Sequence, residues 1–279
     1  MAGPEPNSNQ DNAIIWPELW SAFAKHRQKV TELLLAFATQ PGKSLCVLGA
    51  GRTTDLDLIP LAERYAKIDL VDLHPTITRD ALVQRGFDGH ARVSEISMLD
   101  VSGIDASWRH FMAAPSEGAL QATIKECKNA KLDLGQYDVV VSTCLLTQIM
   151  RRAFECLEAA KMVKTNCFSD IVKAIREKHF DLLVNHTVPG GAALLITDLT
   201  SSEALPEMLL EGADLQHMLV NEVTEGNHFP GMNPKLIFEA TQRSSLGINL
   251  QKALVTRPWI WNSIEMQYLC IAYLLSKNQ

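Results

Sequence analysis

The chain is 279 residues long, 47% hydrophobic, and carries a formal net charge of −6. That length suits one large α/β domain with insertions, and the apolar content is ample for a core. The acidic balance and the lack of a Lys/Arg stripe argue against a protein that wraps nucleic acid by neutralising phosphates, so no nucleic-acid partner is expected.

Residues 1–12, MAGPEPNSNQDN, are polar and weakly hydrophobic, and are expected to be disordered and to be neither signal peptide nor membrane anchor. A leading helix is expected over 13–40, where Trp16, Leu19, Trp20, Phe23, Val30, Leu34 and Phe37 recur at helical spacing before Pro41 and Gly42. The main domain then runs over 41–279. Leu45–Leu48 read as a buried strand, Gly49 and Gly51 as a tight turn with exposed amides, and Thr54 or Asp55 as the cap of the next helix. The second strand, 68–71, delivers Asp72 about twenty residues after the glycines, where a carboxylate can accept hydrogen bonds from both hydroxyls of a ribose. These two segments together predict a site for an adenosine-like ligand.

A helix over 76–85 follows Pro75, and ARVSEISMLDV reads as the third strand. An insertion is expected over about 102–136, with helical stretches near Trp108 and from Leu120 to Cys127. DVVVSTCLL has the β-branched character of a central parallel strand, and helices are expected through 151–183. Pro189, Gly190 and Gly191 turn the chain into a fifth strand, ALLITDL. Beyond it, 202–225 are predicted helical, HFPGMNP is a loop and PKLIFEATQRSS a further helix. Two strand-like runs, LQKALVTRPWIWN and EMQYLCIAYLLSK, are joined by too short a link to pair other than antiparallel. The apolar YLCIAYLL is too short to span a bilayer, so a soluble, cytoplasmic protein with no membrane partner is expected. The six cysteines form no C-x-x-C pair and read as small buried hydrophobes, and no metal site is expected.

Five strands alternating with helices, followed by an antiparallel hairpin, resemble the class I, Rossmann-like, S-adenosylmethionine-dependent methyltransferase family over roughly 41–279. The resemblance implies an α/β fold: a three-layer αβα sandwich with a mostly parallel seven-stranded sheet and an antiparallel C-terminal hairpin. It implies S-adenosylmethionine as cofactor, with Gly49, Ala50 and Gly51 under its methionine portion and Asp72 with Leu73 at the ribose. Asp100 with Val101 would meet the adenine, and Ser142 and Thr143 would face the sulfonium. Read alone, Asp100 is also a helix cap and Ser142 and Thr143 merely end a strand. The chain departs from the family at Val47, where an acid is usual, and at Thr53, where the third glycine is usual. Asp55 is a candidate substitute for the missing acid near the cofactor ammonium, and equally a helix cap.

Methyl transfer from a sulfonium depends mainly on positioning and water exclusion, so the cofactor is more legible than the acceptor. The expected activity is methyl transfer to a small molecule, with a non-catalytic binding subunit or an NAD-dependent oxidoreductase as alternatives. Acceptor-side candidates are Trp16, Trp20, Cys144, Gln148, Asp198, Thr200 and the segment 201–233, read as a lid. His228 is the candidate general base, although a loop histidine of this kind is more often a bland surface residue; His186 belongs at the opposite edge of the sheet. Trp259 and Trp261 share one strand face and read as core before substrate cage.

Overall fold

The computed structural model describes residues 11–163, 166–242 and 250–277. Residues 1–10, most of the stretch expected to be disordered, lie outside the described residues, and so does the side chain of Trp16. Two helices, α1 (Asp11–Ala22) and α2 (Ala24–Leu35), stand where a single leading helix is predicted. The alternating unit follows as β1 (Ser44–Leu48), α3 (Leu58–Arg64), β2 (Lys67–Val71), α4 (Ile77–Gln84) and β3 (Val93–Ile96). Next come α5 (Asp105–Ala113), α6 (Glu117–Asn129), β4 (Tyr137–Thr143), α7 (Leu145–Ala159), α8 (Asn166–Asn185) and β5 (Thr187–Ser201). A short 3-10 turn, α9 (Leu215–Met218) and a π turn (Leu219–Val223) stand in place of the helix predicted over 202–225. Pro206 opens the 3-10 turn and Gly212 takes a positive φ of 76°, which keeps a continuous helix from forming. Helix α10 (Pro234–Thr241) precedes β6 (Leu250–Val255), β7 (Trp259–Asn262) and β8 (Gln267–Lys277).

The sheet runs β3-β2-β1-β4-β5-β8-β6, with β7 also on β8. Strands β1 to β5 are parallel, and β8 enters antiparallel to β5, with Leu195 opposite Tyr273. The run LQKALVTRPWIWN is one predicted strand but two observed ones. Both β6 and β7 pair with β8 and flank Pro258, whose ring lacks the N–H that would continue the ladder. The sheet is therefore seven positions across and contains eight strands. The Pro189–Gly191 turn sits inside β5 as an irregularity in its pairing with β4, and a Cβ on Gly191 would meet the Asp138 carbonyl at 2.6 Å.

Because successive strand side chains point to opposite faces, each central strand feeds two cores. Cys46, Leu48, Val140 and Leu195 join Phe111, Met150, Ile171 and Ile237 on one face. Leu45, Val47, Val141 and Ile196 join Val30, Leu34, Leu58 and Leu61 on the other. The result is the αβα layering, with the carboxyl ends of β1, β2, β4 and β5 along one edge. No described helix is long and apolar enough to cross a membrane.

A buried carboxylate sits on β2. Asp69 on β2 is 2% exposed and accepts hydrogen bonds from Tyr137 Oη at 2.6 Å and Ser94 Oγ at 2.5 Å, with Lys67 Nζ at 2.7 Å. Burial alone would raise its pKa, but these three partners outweigh it and hold the carboxyl below its ordinary value. Tyr137→Phe removes one partner from a buried carboxylate. It is expected to lower stability by about 1–3 kcal/mol in urea unfolding while leaving the far-UV spectrum unchanged.

Candidate functional site

The turn after β1 is latched to the end of β2. Gly49 and Ala50 amides donate to the Val71 carbonyl at 2.9 and 3.0 Å, and the Gly51 amide donates to Asp72 Oδ2 at 2.8 Å. Gly49 has φ +74°, and a Cβ there would lie 2.8 Å from Leu145 Cβ, where α7 begins. Thr53, at the position of the usual third glycine, is left-handed at φ 56° although β-branched, a conformation costing roughly 1–2 kcal/mol. Arg85 Nη1 donates to its Oγ1 at 2.8 Å and its carbonyl at 3.1 Å, so the glycine-like backbone is kept by an added clamp.

A cleft of about 210 Å³ opens beside this turn and is lined by Gly49, Asp72, Leu73, Asp100 and Val101. Asp72 Oδ1 accepts from the His74 amide at 2.8 Å, so backbone donors orient the carboxylate before any ligand arrives. Asp100 accepts from the Ser102 amide at 2.9 Å and the Asp105 amide at 2.8 Å; it secures the entry to α5 and also faces the cleft. Ser102 Oγ donates to the same Asp100 Oδ1 as the Ser102 amide, at 2.5 Å, so Oδ2 is the Asp100 oxygen that retains a further lone pair. Gly51 and Ala50 shape the turn without lining the cleft, and Ala50 is 5% exposed. Ser142 and Thr143 are buried in β4, and Ser142 Oγ pairs with His179 Nε2 at 2.8 Å. Sequence reasoning missed Trp108, Asp105 and Arg152, which also line the cleft. Trp108 is 1% exposed and its Nε1 has no hydrogen-bond partner among the described residues, leaving a buried donor for a ligand acceptor. Its position inside a long connection between strands carried no local signal of a site.

A second cavity, of about 470 Å³, meets the first at Gln148, which lines both. Cys144, Asp198, Phe229, Trp261 and Tyr268 line it. The pairing of β5 with β8 shifts register between Asp198 and Thr200, a bulge of the kind that re-aims side chains beside sites. Asp198 is 6% exposed; burial pushes it up to about 6 against the pull of hydrogen bonds from Thr147 and Cys144. Asp55 lies outside the first cleft, and burial together with the charge of Asp198 pushes it up to about 7. Behind Asp55, His26 Nε2 is 3.6 Å from Asp55 Oδ1, while His26 Nδ1 accepts from Trp259 Nε1 at 3.1 Å. An indole N–H can only donate, so neutral His26 carries its proton on Nε2. Burial, then the neighbouring Arg27, lower its pKa to about 3.

The remaining candidates are placed as follows. Trp20 stacks under the Arg27 guanidinium at 3.4 Å and the Arg85 guanidinium at 4.4 Å, tying the leading helices to the glycine turn. His228 lines neither cavity: its Nδ1 meets the Phe229 carbonyl at 2.9 Å and its Nε2 meets Asn233 Nδ2 at 3.2 Å. His186 meets the Gly135 carbonyl at 3.0 Å, at the amino edge of β5. Thr200 is fully buried. Within 201–233, Leu205, Met208, Leu219, Val223 and Met232 are built into the larger core, while Phe229 and Pro230 reach the second cavity. Among the described residues no three His, Cys, Asp or Glu gather as a metal site.

Five parallel strands, an antiparallel strand beside β5, and a glycine turn meeting the acid after β2 at the carboxyl edge decide the architecture. This is a Rossmann-like αβα fold with an antiparallel C-terminal pair. No family model and no curated protein matches the chain. Among solved structures, it is similar to the N-methyltransferase NodS from Bradyrhizobium japonicum, at 11% identity and TM-score 0.44, covering 93% of this chain and 98% of that one. Magnesium protoporphyrin IX methyltransferase from Synechocystis PCC 6803, solved with bound SAH, aligns at 14% identity and TM-score 0.45, covering 97% and 96%. A putative methyltransferase from Bacillus halodurans aligns at 10% identity and TM-score 0.46, covering 90% and 100%. These are distant likenesses of shape.

Two outcomes follow from this geometry. Gly49→Ala combines a left-handed backbone with a steric overlap at Leu145, and is expected to cost roughly 1–3 kcal/mol or more by thermal unfolding. The raised Asp55 and Asp198 keep protons in the folded state that an unfolded carboxylate releases near pH 4, so their contribution to stability is lost as pH rises from about 4 to 7. His26, lowered to about 3, acts with the opposite sign as pH rises from about 3 to 6.5. Asp198→Asn removes one acid of the pair and leaves His26 in place. Its melting temperature relative to wild type is expected to be higher at pH 8 than at pH 5, by a few degrees for on the order of 1–2 kcal/mol.

Proposed function

We propose that this chain is an S-adenosylmethionine-dependent methyltransferase acting on a small-molecule acceptor. The observation that carries the reading is the convergence of Gly49, Asp72, Leu73, Asp100 and Val101 on one cleft at the carboxyl edge of the sheet. In this reading Asp72, already aligned by two backbone amides, accepts from the ribose hydroxyls. Asp100 and the unpaired Trp108 Nε1 offer an acceptor and a donor to the adenine, with Leu73 and Val101 as apolar neighbours. Gly49 lets the backbone approach the methionine portion closely. The cofactor supplies an electrophilic methyl group on a sulfonium.

The second cavity is the acceptor pocket in this reading, and Gln148 marks the passage between the two. Its volume of about 470 Å³ falls within the roughly 300–1,000 Å³ of small-molecule pockets. The chain's own contribution is to hold the acceptor against the first cleft and to exclude water, which is most of what an in-line displacement needs. The pinned Thr53 backbone supports cofactor binding despite the missing glycine, since the turn keeps its left-handed form.

S-adenosylhomocysteine is expected to bind and to raise the melting temperature, whereas NAD is not. Asp72→Ala is expected to weaken S-adenosylhomocysteine by roughly 2–3 kcal/mol, about 30- to 150-fold in calorimetry, because two charge-assisted hydrogen bonds are lost. A wild-type chain with no thermal shift at millimolar S-adenosylhomocysteine would remove the methyltransferase reading.

A further inference from the structure

The second cavity has a chemical bias of its own. Its walls are aromatic: Trp261 and Tyr268 ring centroids are 4.9 Å apart, and those of Phe229 and Tyr268 are 6.2 Å apart. Asp198, 6% exposed, lines the same cavity, and its Oδ1 has no hydrogen-bond partner among the described residues. A buried carboxylate oxygen without a donor is costly, and a ligand that supplies a charged N–H removes that cost. Aromatic faces attract the same ligand through their quadrupoles. Asp198 lies close enough to Asp55 to raise the pKa of that second acid, and Glu203 adds another acid to the lining. The opposing charge is Arg151, whose side chain is 75% exposed and lies 3.6 Å from Glu155. An anionic ligand would face Asp198 and Glu203 with one solvated arginine in compensation. A neutral alcohol would leave the aromatic walls without a cation.

We propose that this cavity recognises an alkylammonium group, seated between Asp198 and the aromatic wall of Trp261 and Tyr268; as methyl acceptor the group would first give a proton to the Asp198 carboxylate, and the freed amine lone pair would take the methyl as the sulfonium departs as a neutral thioether. The acceptor role rests on the methyltransferase reading; the recognition of a cation does not.

Binding of benzylamine, benzyl alcohol and benzoate is measured by calorimetry and tryptophan fluorescence at about pH 7.5, where the amine is charged. On the same samples S-adenosylhomocysteine is titrated separately. Benzylamine is expected to bind roughly tenfold or more tightly than benzyl alcohol, and benzoate not detectably. Asp198→Asn is expected to erase the preference for the amine while binding S-adenosylhomocysteine as wild type does. Trp261→Leu, which leaves the carboxylate in place, is expected to weaken benzylamine several-fold and serves if the first variant does not fold. Benzyl alcohol or benzoate binding as tightly as benzylamine, or benzylamine binding both variants unchanged, would overturn the amine site. Loss of S-adenosylhomocysteine binding alone, with the amine preference intact, would instead overturn the methyltransferase reading and support the cation site.

Discussion

The turn between β1 and α3 is where the rest of the site is set. Its amides are consumed by the end of β2, two on the Val71 carbonyl and one on Asp72, and its first glycine is pressed against the first residue of α7. Three elements distant in sequence are thereby fixed at one point. The cleft beside them is the space left over when backbone donors hold a carboxylate and no Cβ fills the gap. The same hydrogen bonds that stabilise the turn pre-align Asp72, so little reorganisation accompanies ligand arrival.

Thr53 shows how a local departure is absorbed. A β-branched residue at φ 56° is strained, yet Arg85 donates both to its hydroxyl and to its carbonyl. Arg85 also stacks on Trp20, which in turn lies against Arg27, and Arg27 donates to the Thr54 carbonyl at 3.3 Å. Leading helix, glycine turn and α4 are thus joined by guanidinium planes over an indole. Burial lowers both arginine pKa values, that of Arg85 to about 10, and the nearby Asp57 partly restores them, so both remain charged at neutral pH.

The edge above β5 holds charges that the fold does not neutralise. Burial raises the pKa of both Asp198 and Asp55, with the charge of Asp198 adding to the shift at Asp55; His26 is kept neutral; Cys144 is held as a thiol by its hydrogen bond with Cys270 and by burial, and Cys270 by burial against the pull of that hydrogen bond. Asp198 Oδ1 and Asp55 Oδ1 have no hydrogen-bond partner among the described residues, and a ligand N–H at Asp198 would remove the cost of leaving that oxygen unpaired.

The order of the five parallel strands, the antiparallel C-terminal pair, and the positions of Gly49, Asp72 and Asp100 along the chain were legible in the sequence, whereas the helices were not all so: the leading helix is two, and 202–225 is broken into short turns. Each legible feature depends on local pattern: apolar runs of strand length, a glycine that tolerates positive φ, and, at Asp72, an acid at a strand end; the third strand, expected to run on to Val101, stops at Ile96 and leaves Asp100 in the turn before α5. The break at Pro258 was equally available, because a proline cannot donate to a ladder. Tertiary structure decided the rest. Asp55 lies outside the cleft with its Oδ1 3.6 Å from His26 Nε2, and Ser142 pairs with His179 across two elements. His26 meets Trp259 over a separation of 233 residues. Trp108 reaches the cleft from α5, in the connection between β3 and β4, and the segment 201–233 packs into the core because Leu205, Met208 and Val223 find partners there. These facts depend on which residues meet after the sheet has closed, and side-chain partners brought together by long-range strand pairing leave no periodic trace along the chain.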